Sequence, residues 1–448
     1  VAPCPIFCAS ACACWCDRSV GSKLYLMSTP FSRREFLGYL ALVGAGVGAN
    51  TLAMRGVRIP LALEPRGAPH AARHPDRGFV VHGNGAFPLA IDEDAYAWRA
   101  FAPEPVLHIE GDFKVTLDNV HPLAALDVSG SGIISEEKVT GLMRSVTGNS
   151  AKGALTLRWR VPFAQSYRFA AIGDTGGDHE LAWALQRAKQ LGAQFLLHLG
   201  DLYYQPNDDL NVARTLSSAP LPTYAAIGNH DLPHSFDGEL SNWFETNVGP
   251  RNTSFSLGGI QFINLDTAAD TIPWSGGARG ALLRQIPSLD DNPGIRDYVV
   301  FTHRPVTDLR QPKDQPTDHS IKNWGEDAWL HRELLRRGVG AVINGHIHSS
   351  LEKDDRGLRT FIAGEGLAHL DIVASQGAIG WFNTPGNRVA KILIGEVIPQ
   401  APVRYHWDAL AMPLSVHCSH RLREDMEKIP GHFDELLVHL ETACNSSS

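Results

Sequence analysis

The spacing of apolar residues divides the chain into regions with different predicted structure. Between residues 78 and 161 apolar residues recur at every second position, most clearly over 113–117 and 155–161. A period of two is typical of half-buried strands. We therefore predict a β-rich region over residues 78–165.

From residue 166 onward, short apolar runs alternate with segments of helical period. We predict strands at 167–172, 195–199, 223–227, 260–265, 298–302, 339–344, 358–363, 389–398 and 403–407. We predict helices at 179–191, 278–286 and 327–337, and loops at 205–222, 232–252 and 304–325. This alternation indicates an α/β domain over 166–407, followed by a C-terminal tail at 408–448.

The first 77 residues predict no packed core. Arg33 and Arg34 precede an apolar run at 36–49 that is interrupted by glycines, and this pattern resembles a twin-arginine export signal. The run is shorter than the ~20 residues that cross a bilayer, so we expect no stable membrane anchor. We expect a bacterial protein that the twin-arginine export machinery delivers to the periplasm or outside the cell.

These features divide the N-terminal region into three segments. We assign the signal to 27–53 and a linker without apolar period to 54–77. Residues 1–26 are interpreted as an over-extended gene start, with a cysteine-rich metal site or disulfide knot as the alternative. Beyond this region, Cys418 and Cys444 could form a disulfide in an oxidising compartment.

Composition narrows the classes of function. The chain has 448 residues and a formal net charge of −8, without the basic excess of a nucleic-acid-binding surface. We therefore expect no nucleic-acid partner. Its 20 histidines justify a search for a metal site.

Polar residues with metal-binding side chains follow the ends of several predicted strands. They are Asp174, Asp201, Tyr204, Asn229, His230, His303, His346 and His348. Ligands of open α/β sheets bind at the carboxyl ends of strands, so these side chains should lie close together. Imidazole, carboxylate, amide and phenol groups without a thiolate exclude copper(I) and iron–sulfur centres. They are too many for one tetrahedral zinc ion and favour two metal ions ~3.5–4 Å apart.

The five strand-end segments carry motifs in a fixed order. They read GDxG, GDxxY, GNHD, VxxH and GHxH at 173–176, 200–204, 228–231, 300–303 and 345–348. This set resembles the calcineurin-like metallophosphoesterases and, within them, the purple acid phosphatases. Most relatives have Asp-x-His in the first motif, whereas this chain has Gly176 and gains Tyr204, the exchange typical of purple acid phosphatases. The resemblance implies a metallophosphoesterase β-sandwich flanked by helices (αββα), preceded here by the smaller β-rich region.

The resemblance also implies roles for the site residues. A ferric ion would be bound by Asp174, Tyr204 and His348. A divalent iron, zinc or manganese ion would be bound by Asn229, His303 and His346, with Asp201 as the bridge. His230 would face the phosphate or leaving group, and Asp231 would orient His230 or a ligand.

The expected function is hydrolysis of small phosphomonoesters by attack of a metal-bound hydroxide, as in an acid phosphatase. His230 would stabilise or protonate the leaving group. A phosphodiesterase or nucleotide pyrophosphatase using the same site is the alternative. A second alternative is a catalytically silent metal-binding envelope protein. The presence of His230 argues against it, because a protein that only binds metal does not need a histidine outside the ligand set.

Other polar segments have competing interpretations. Residues 127–138 resemble an EF-hand calcium loop but end in Lys138 instead of a bidentate glutamate, so we predict a Ser/Gly turn. We predict that His198 is a core histidine within its strand. Arg304 either binds a phosphate or forms a structural ion pair. His234 and His319 lie in loops that could line the cleft.

Overall fold

The computed structural model describes residues 70–73, 80–89, 96–177, 179–204, 208–232, 239–268, 275, 277–310, 319–366 and 391–408. The predicted gene start, the export signal, most of the predicted linker and the predicted C-terminal tail after residue 408 lie outside these residues. His234, Cys418 and Cys444 lie outside them as well. In the part of the chain that the structure describes, no helix combines the length and the apolar character needed to cross a bilayer.

The β-rich region forms one sheet of eight strands and begins earlier than predicted, because four residues of the predicted linker 54–77, His70–Arg73, pair in the antiparallel direction with the strand Val80–Asn84. The strands are β1 (His70–Arg73), β2 (Val80–Asn84), β3 (Ala86–Pro88), β4 (Tyr96–Ala100), β5 (Val106–Asp118), β6 (Ala125–Gly130), β7 (Ile133–Thr140) and β8 (Met143–Arg160). The long strand β8 pairs with β5 along one edge and with β6 and then β7 along the other. The EF-hand-like segment is therefore two strands joined by Ser131 and Gly132, which confirms the predicted turn.

Two further sheets form the α/β domain. The five-stranded sheet has the order β11-β10-β9-β18-β19. Its strands are β9 (Tyr167–Ile172), β10 (Ala193–His198), β11 (Thr223–Ala225), β18 (Leu393–Val397) and β19 (Arg404–Trp407). Strands β9, β10 and β11 are parallel, and β18 pairs with β9 in the antiparallel direction.

The six-stranded sheet has the order β12-β13-β14-β15-β17-β16. Its strands are β12 (Thr253–Leu257), β13 (Ile260–Leu265), β14 (Asp297–Thr302), β15 (Ala341–Asn344), β16 (Ser350–Asp355) and β17 (Leu358–Ala363). Strands β13, β14, β15 and β17 are parallel. The helices are α1 (His179–Gln190), α2 (Asp208–Ser217), α3 (Glu239–Asn247), α4 (Ala278–Gln285) and α5 (Trp324–Arg337).

The apolar faces of these two sheets pack on each other. Phe169 and Phe195 of the five-stranded sheet contact Phe262 of the six-stranded sheet, with ring centroids 5.1 and 5.5 Å apart. Helix α1 packs on the outer face of the five-stranded sheet, and α4 and α5 pack on that of the six-stranded sheet. Two sheets between helical layers confirm the predicted αββα class.

The structure corrects several predicted boundaries. Helix α2 occupies part of the predicted loop 205–222, and it buries Val212 and Leu216, which are four residues apart on one face. The sequence did not predict this helix because two apolar residues are too few to establish a helical period. Helix α3 likewise occupies part of 232–252. Helix α5 begins at Trp324, three residues early, because the Asn323 side chain accepts hydrogen bonds from two backbone N–H groups of the first turn.

Candidate metal centre

The predicted site residues lie together where strands of both sheets end. Asp174, Asp201 and Asn229 follow the parallel strands β9, β10 and β11 of one sheet. His303 follows β14, and the pair His346 and His348 follows β15, in the other. Because parallel strands end at the same edge, the two packed sheets bring all of these side chains to one place.

The first group of the site surrounds the hydroxyl of Tyr204. This oxygen is 3.0 Å from Asp201 Oδ2, 3.5 Å from Asp174 Oδ1 and 3.4 Å from His348 Nε2. His348 Nε2 is in turn 3.2 Å from Asp174 Oδ1. The three side chains assigned to the ferric ion are therefore within contact distance of one another.

The second group surrounds His303. Its Nε2 atom is 2.9 Å from Asn229 Oδ1 and 3.4 Å from Asp201 Oδ1. Asp201, His303 and His346 each offer a ligand atom, and these atoms all lie within 4.8 Å of one another. The side chains assigned to the divalent ion thus form a second cluster.

Asp201 lies between the two groups and is 1% exposed. Its Oδ2 atom faces Tyr204, and its Oδ1 atom faces His303. Oδ1 also accepts a hydrogen bond of 2.9 Å from the backbone N–H of His230. One carboxylate that faces two ligand groups has the geometry of a bridging ligand.

The donor atoms fit metal ions. His303 Nδ1 donates a hydrogen bond to the carbonyl of Leu199 at 2.8 Å, so its Nε2 atom carries a lone pair. That lone pair faces the oxygens of Asn229 and Asp201, which are also electron donors. A cation between them would turn this repulsion into coordination, and the Leu199 carbonyl would fix the ring as an outer partner of a ligand does.

Burial shapes the protonation of the same groups. Burial lowers the pKa of His303 well below its usual value, so the imidazole is neutral, as a ligand must be. Burial also raises the pKa of Asp174 to about 7, because its charged form is poorly solvated. A bound cation would stabilise the carboxylate and reverse this rise.

Three of the site residues have left-handed backbone conformations. The φ angles are 61° at Asp174, 59° at Asp201 and 64° at His346. Such a conformation costs ~1–3 kcal/mol in a non-glycine residue and is found preferentially at functional sites. The surrounding motifs therefore hold these side chains at a cost in stability, which supports a functional role.

Two glycines of the motifs are required by close packing on the site carboxylates. A Cβ atom on Gly228 would lie 2.1 Å from Asp201 Oδ1. A Cβ atom on Gly345 would lie 2.6 Å from Asp174 Oδ2. These contacts explain why glycine precedes Asn229 and His346.

Asp231 and His230 lie beside the clusters in different ways. The Asp231 carboxylate accepts four backbone hydrogen bonds of 2.8–3.0 Å, from Gly228 and from residues 201–203. Burial raises its pKa to about 8, although these donors favour the charged form. The His230 ring instead packs on the Tyr204 ring, with centroids 4.4 Å apart and a tilt of 39°. The four hydrogen bonds to Asp231 therefore hold the backbone that presents Asp201.

Three other residues lie beside the site. His198 is fully buried, which confirms its prediction as a core residue, and its Nε2 is 2.9 Å from the Thr175 hydroxyl. The Nη1 atom of Arg304 is 2.7 Å from His346 Nε2, and the exposed His319 ring is 5.7 Å from the ring of His346. The sequence placed Arg304 next to His303, but only the fold brings it to His346.

Residues 167–350 match the family model of the calcineurin-like phosphoesterases. All seven predicted metal ligands fall within this stretch. The chain therefore contains a calcineurin-like metallophosphoesterase domain.

Individual relatives match only parts of the chain. The mouse serine/threonine-protein phosphatase CPPED1 is 27% identical over 185 residues, which are 40% of this chain and 54% of the relative. The chain thus spans about half the length of this curated relative. Among solved structures, the Plasmodium inner membrane complex anchor GAP50 is 15% identical, with a TM-score of 0.39 over 54% of this chain and 84% of that one. A dimetal phosphatase from Danio rerio is 13% identical, with a TM-score of 0.34 over 54% and 95%.

Proposed function

We propose that the protein is a binuclear phosphatase of the purple acid phosphatase type, which hydrolyses small phosphomonoesters. The observation that carries the proposal is the position of the Tyr204 hydroxyl, within 3.5 Å of Asp174, Asp201 and His348. A phenol at this position distinguishes purple acid phosphatases from relatives with histidine in the first motif. A tyrosinate is a hard anionic donor, which suits a ferric ion better than a divalent one.

Asp174, Tyr204 and His348 would hold the ferric ion, and Asn229, His303 and His346 the divalent iron, zinc or manganese ion. Asp201 would contact both, because its two oxygens face the two groups. When bound, the metals would polarise the phosphoryl oxygens and provide an activated water near neutral pH.

The protein side chains then supply orientation and proton transfer. His230 is only half-buried, and its ring rests on the face of Tyr204. In its protonated form it would donate a proton to the leaving alkoxide of the ester. Its backbone N–H is bound to Asp201, so the proton donor and the proposed bridging ligand keep a fixed distance.

The test combines metal analysis, a visible spectrum and two substrates. We expect one iron and a second metal ion per chain, a tyrosinate-to-iron absorption band, and faster hydrolysis of an aryl phosphate than of its bis-aryl diester. Tyr204→Phe should remove the band, whereas the neighbouring Tyr203→Phe should retain it and serves as the matched control.

Each alternative has its own result. A colourless, active enzyme containing only zinc or manganese would contradict the ferric assignment but keep the phosphoesterase. Preferential turnover of the diester would favour a phosphodiesterase or nucleotide pyrophosphatase. Metal-loaded protein that hydrolyses neither substrate would favour a silent metal-binding protein.

We also propose export by the twin-arginine pathway to the periplasm or the medium. The support is the sequence at 27–53, which lies outside the described residues. Replacement of Arg33 and Arg34 by lysine should leave the protein in the cytoplasm, as measured by cell fractionation. Unchanged export of that variant would contradict this assignment.

A further inference from the structure

Arg304 is a cationic residue built into the site. It follows His303 directly at the end of β14, is 6% exposed, and places Nη1 2.7 Å from His346 Nε2. Its backbone N–H donates a hydrogen bond of 2.8 Å to the hydroxyl of Thr267, which is itself fully buried. The guanidinium therefore reaches the proposed divalent-metal group from a fixed backbone position.

The segment that holds Arg304 is anchored from behind. Arg279 forms a fully buried ion pair with Glu326 and also donates a hydrogen bond of 2.7 Å to the carbonyl of Asp266. Asp266 immediately precedes Thr267, the residue bound to the Arg304 backbone. The position of Arg304 is thus set by buried polar contacts rather than by a surface loop.

The contact with His346 indicates a second partner for the guanidinium. His346 Nε2 can accept a hydrogen bond from Arg304 or bind a metal ion with the same lone pair, but not both. With a metal ion on His346, the arginine charge would lie beside a second positive charge. An anion bound between them removes this repulsion, and the planar fork of a guanidinium matches two oxygens of a phosphoryl group.

We propose that Arg304 binds the phosphoryl group of the substrate and favours dianionic monoesters over monoanionic diesters. The inference rests on the proposed phosphatase function and assigns the residue that sets its substrate class. A dianion gains more from the added positive charge than a monoanion does. A monoester has three non-bridging phosphoryl oxygens and a diester has only two, so if the metals contact two of them, only the monoester keeps a further oxygen for the guanidinium.

The experiment measures binding of inorganic phosphate to the metal-loaded protein by titration calorimetry. Arg304→Gln should weaken phosphate binding by about 10- to 100-fold, the usual effect of losing hydrogen bonds to a charged group. Arg304→Lys, which keeps the charge but not the fork, should fall between this variant and the wild type. The control is Arg310→Gln, because Arg310 is a more exposed arginine of the same segment, paired with Asp308.

A second readout is the ratio of monoester to diester turnover, which should fall in Arg304→Gln and stay constant in Arg310→Gln. Metal content is measured for every variant. Unchanged phosphate affinity with full metal content would overturn the inference. Loss of metal from both Arg304 variants would also overturn it, because Arg304 would then position His346. Wild-type protein that binds neither metal nor phosphate would instead reject the proposed function itself.

Discussion

The replacement Asp231→Asn tests how the loop that carries Asp201 is held. In the wild type, Oδ1 accepts hydrogen bonds from the N–H groups of Leu202 and Tyr203, both at 2.9 Å. Oδ2 accepts from those of Asp201 and Gly228, at 3.0 and 2.8 Å. An asparagine has one oxygen, so its NH₂ group would face two N–H donors that it cannot accept from.

The magnitude follows from these contacts. Leaving a buried donor unsatisfied costs ~1–3 kcal/mol, so two donors amount to roughly 2–6 kcal/mol. A typical domain has a total stability of only ~5–15 kcal/mol, so this loss is large. Either the domain becomes measurably less stable, or the loop moves and carries the Asp201 carboxylate away from His303 and Tyr204.

Two measurements separate the outcomes. Urea denaturation gives the free energy of unfolding, and elemental analysis gives the metal content of the purified variant. We expect a drop in at least one, whereas Asp290→Asn, at an exposed position, should change neither. An Asp231→Asn protein with wild-type stability and full metal content would show that the four backbone contacts do not hold the loop.

Three more outcomes are expected. Gly228→Ala should lose metal, because its new methyl group would lie 2.1 Å from Asp201 Oδ1. Gly294→Ala should retain metal, because the nearest atoms to its new methyl group lie more than 4 Å away. Equal metal contents in the two variants would refute the packing argument. Removal of metal with a chelator should lower the midpoint of thermal unfolding, and re-addition should restore it, because the proposed metal ligands of the two sheets come together only in the folded state. Burial lowers the pKa of His121 from 6.5 to about 4, so its contribution to stability is present above pH 6.5 and is lost as the pH falls towards 4. His121→Asn preserves an acceptor for the Leu123 N–H and should flatten the dependence of unfolding free energy on pH in this interval; an unchanged slope would contradict the assignment.

The residues of the site could be found from the sequence because their signals are local. Each ligand motif directly follows an apolar run, and the run itself predicts the strand that presents it. Asp174 and Asp201 are examples, since both follow glycine at the end of a buried strand. The parallel direction of those strands then explains why residues far apart in the chain meet.

The supporting contacts could not be found in this way. The four bonds to Asp231 and the contact between Arg304 and His346 depend on how two strands are placed in space. The spacing of residues along the chain does not predict how far apart side chains on different strands lie. Helices α2 and α3 escaped detection for another reason, because each presents only one or two turns of apolar period between polar residues.

The order of strands in the five-stranded sheet affects the time at which the site can form during synthesis. Strand β9, which precedes Asp174, pairs with β10 on one side and with β18 on the other. Leu393 of β18 lies 221 positions after Ile172 of β9, so the second edge of β9 stays open while that length of chain is made. An open edge of a buried strand is prone to wrong pairing until its neighbour arrives. We therefore expect the proposed metal centre to be complete only after β18 has left the ribosome, so that metal would bind after most of the chain has been synthesised.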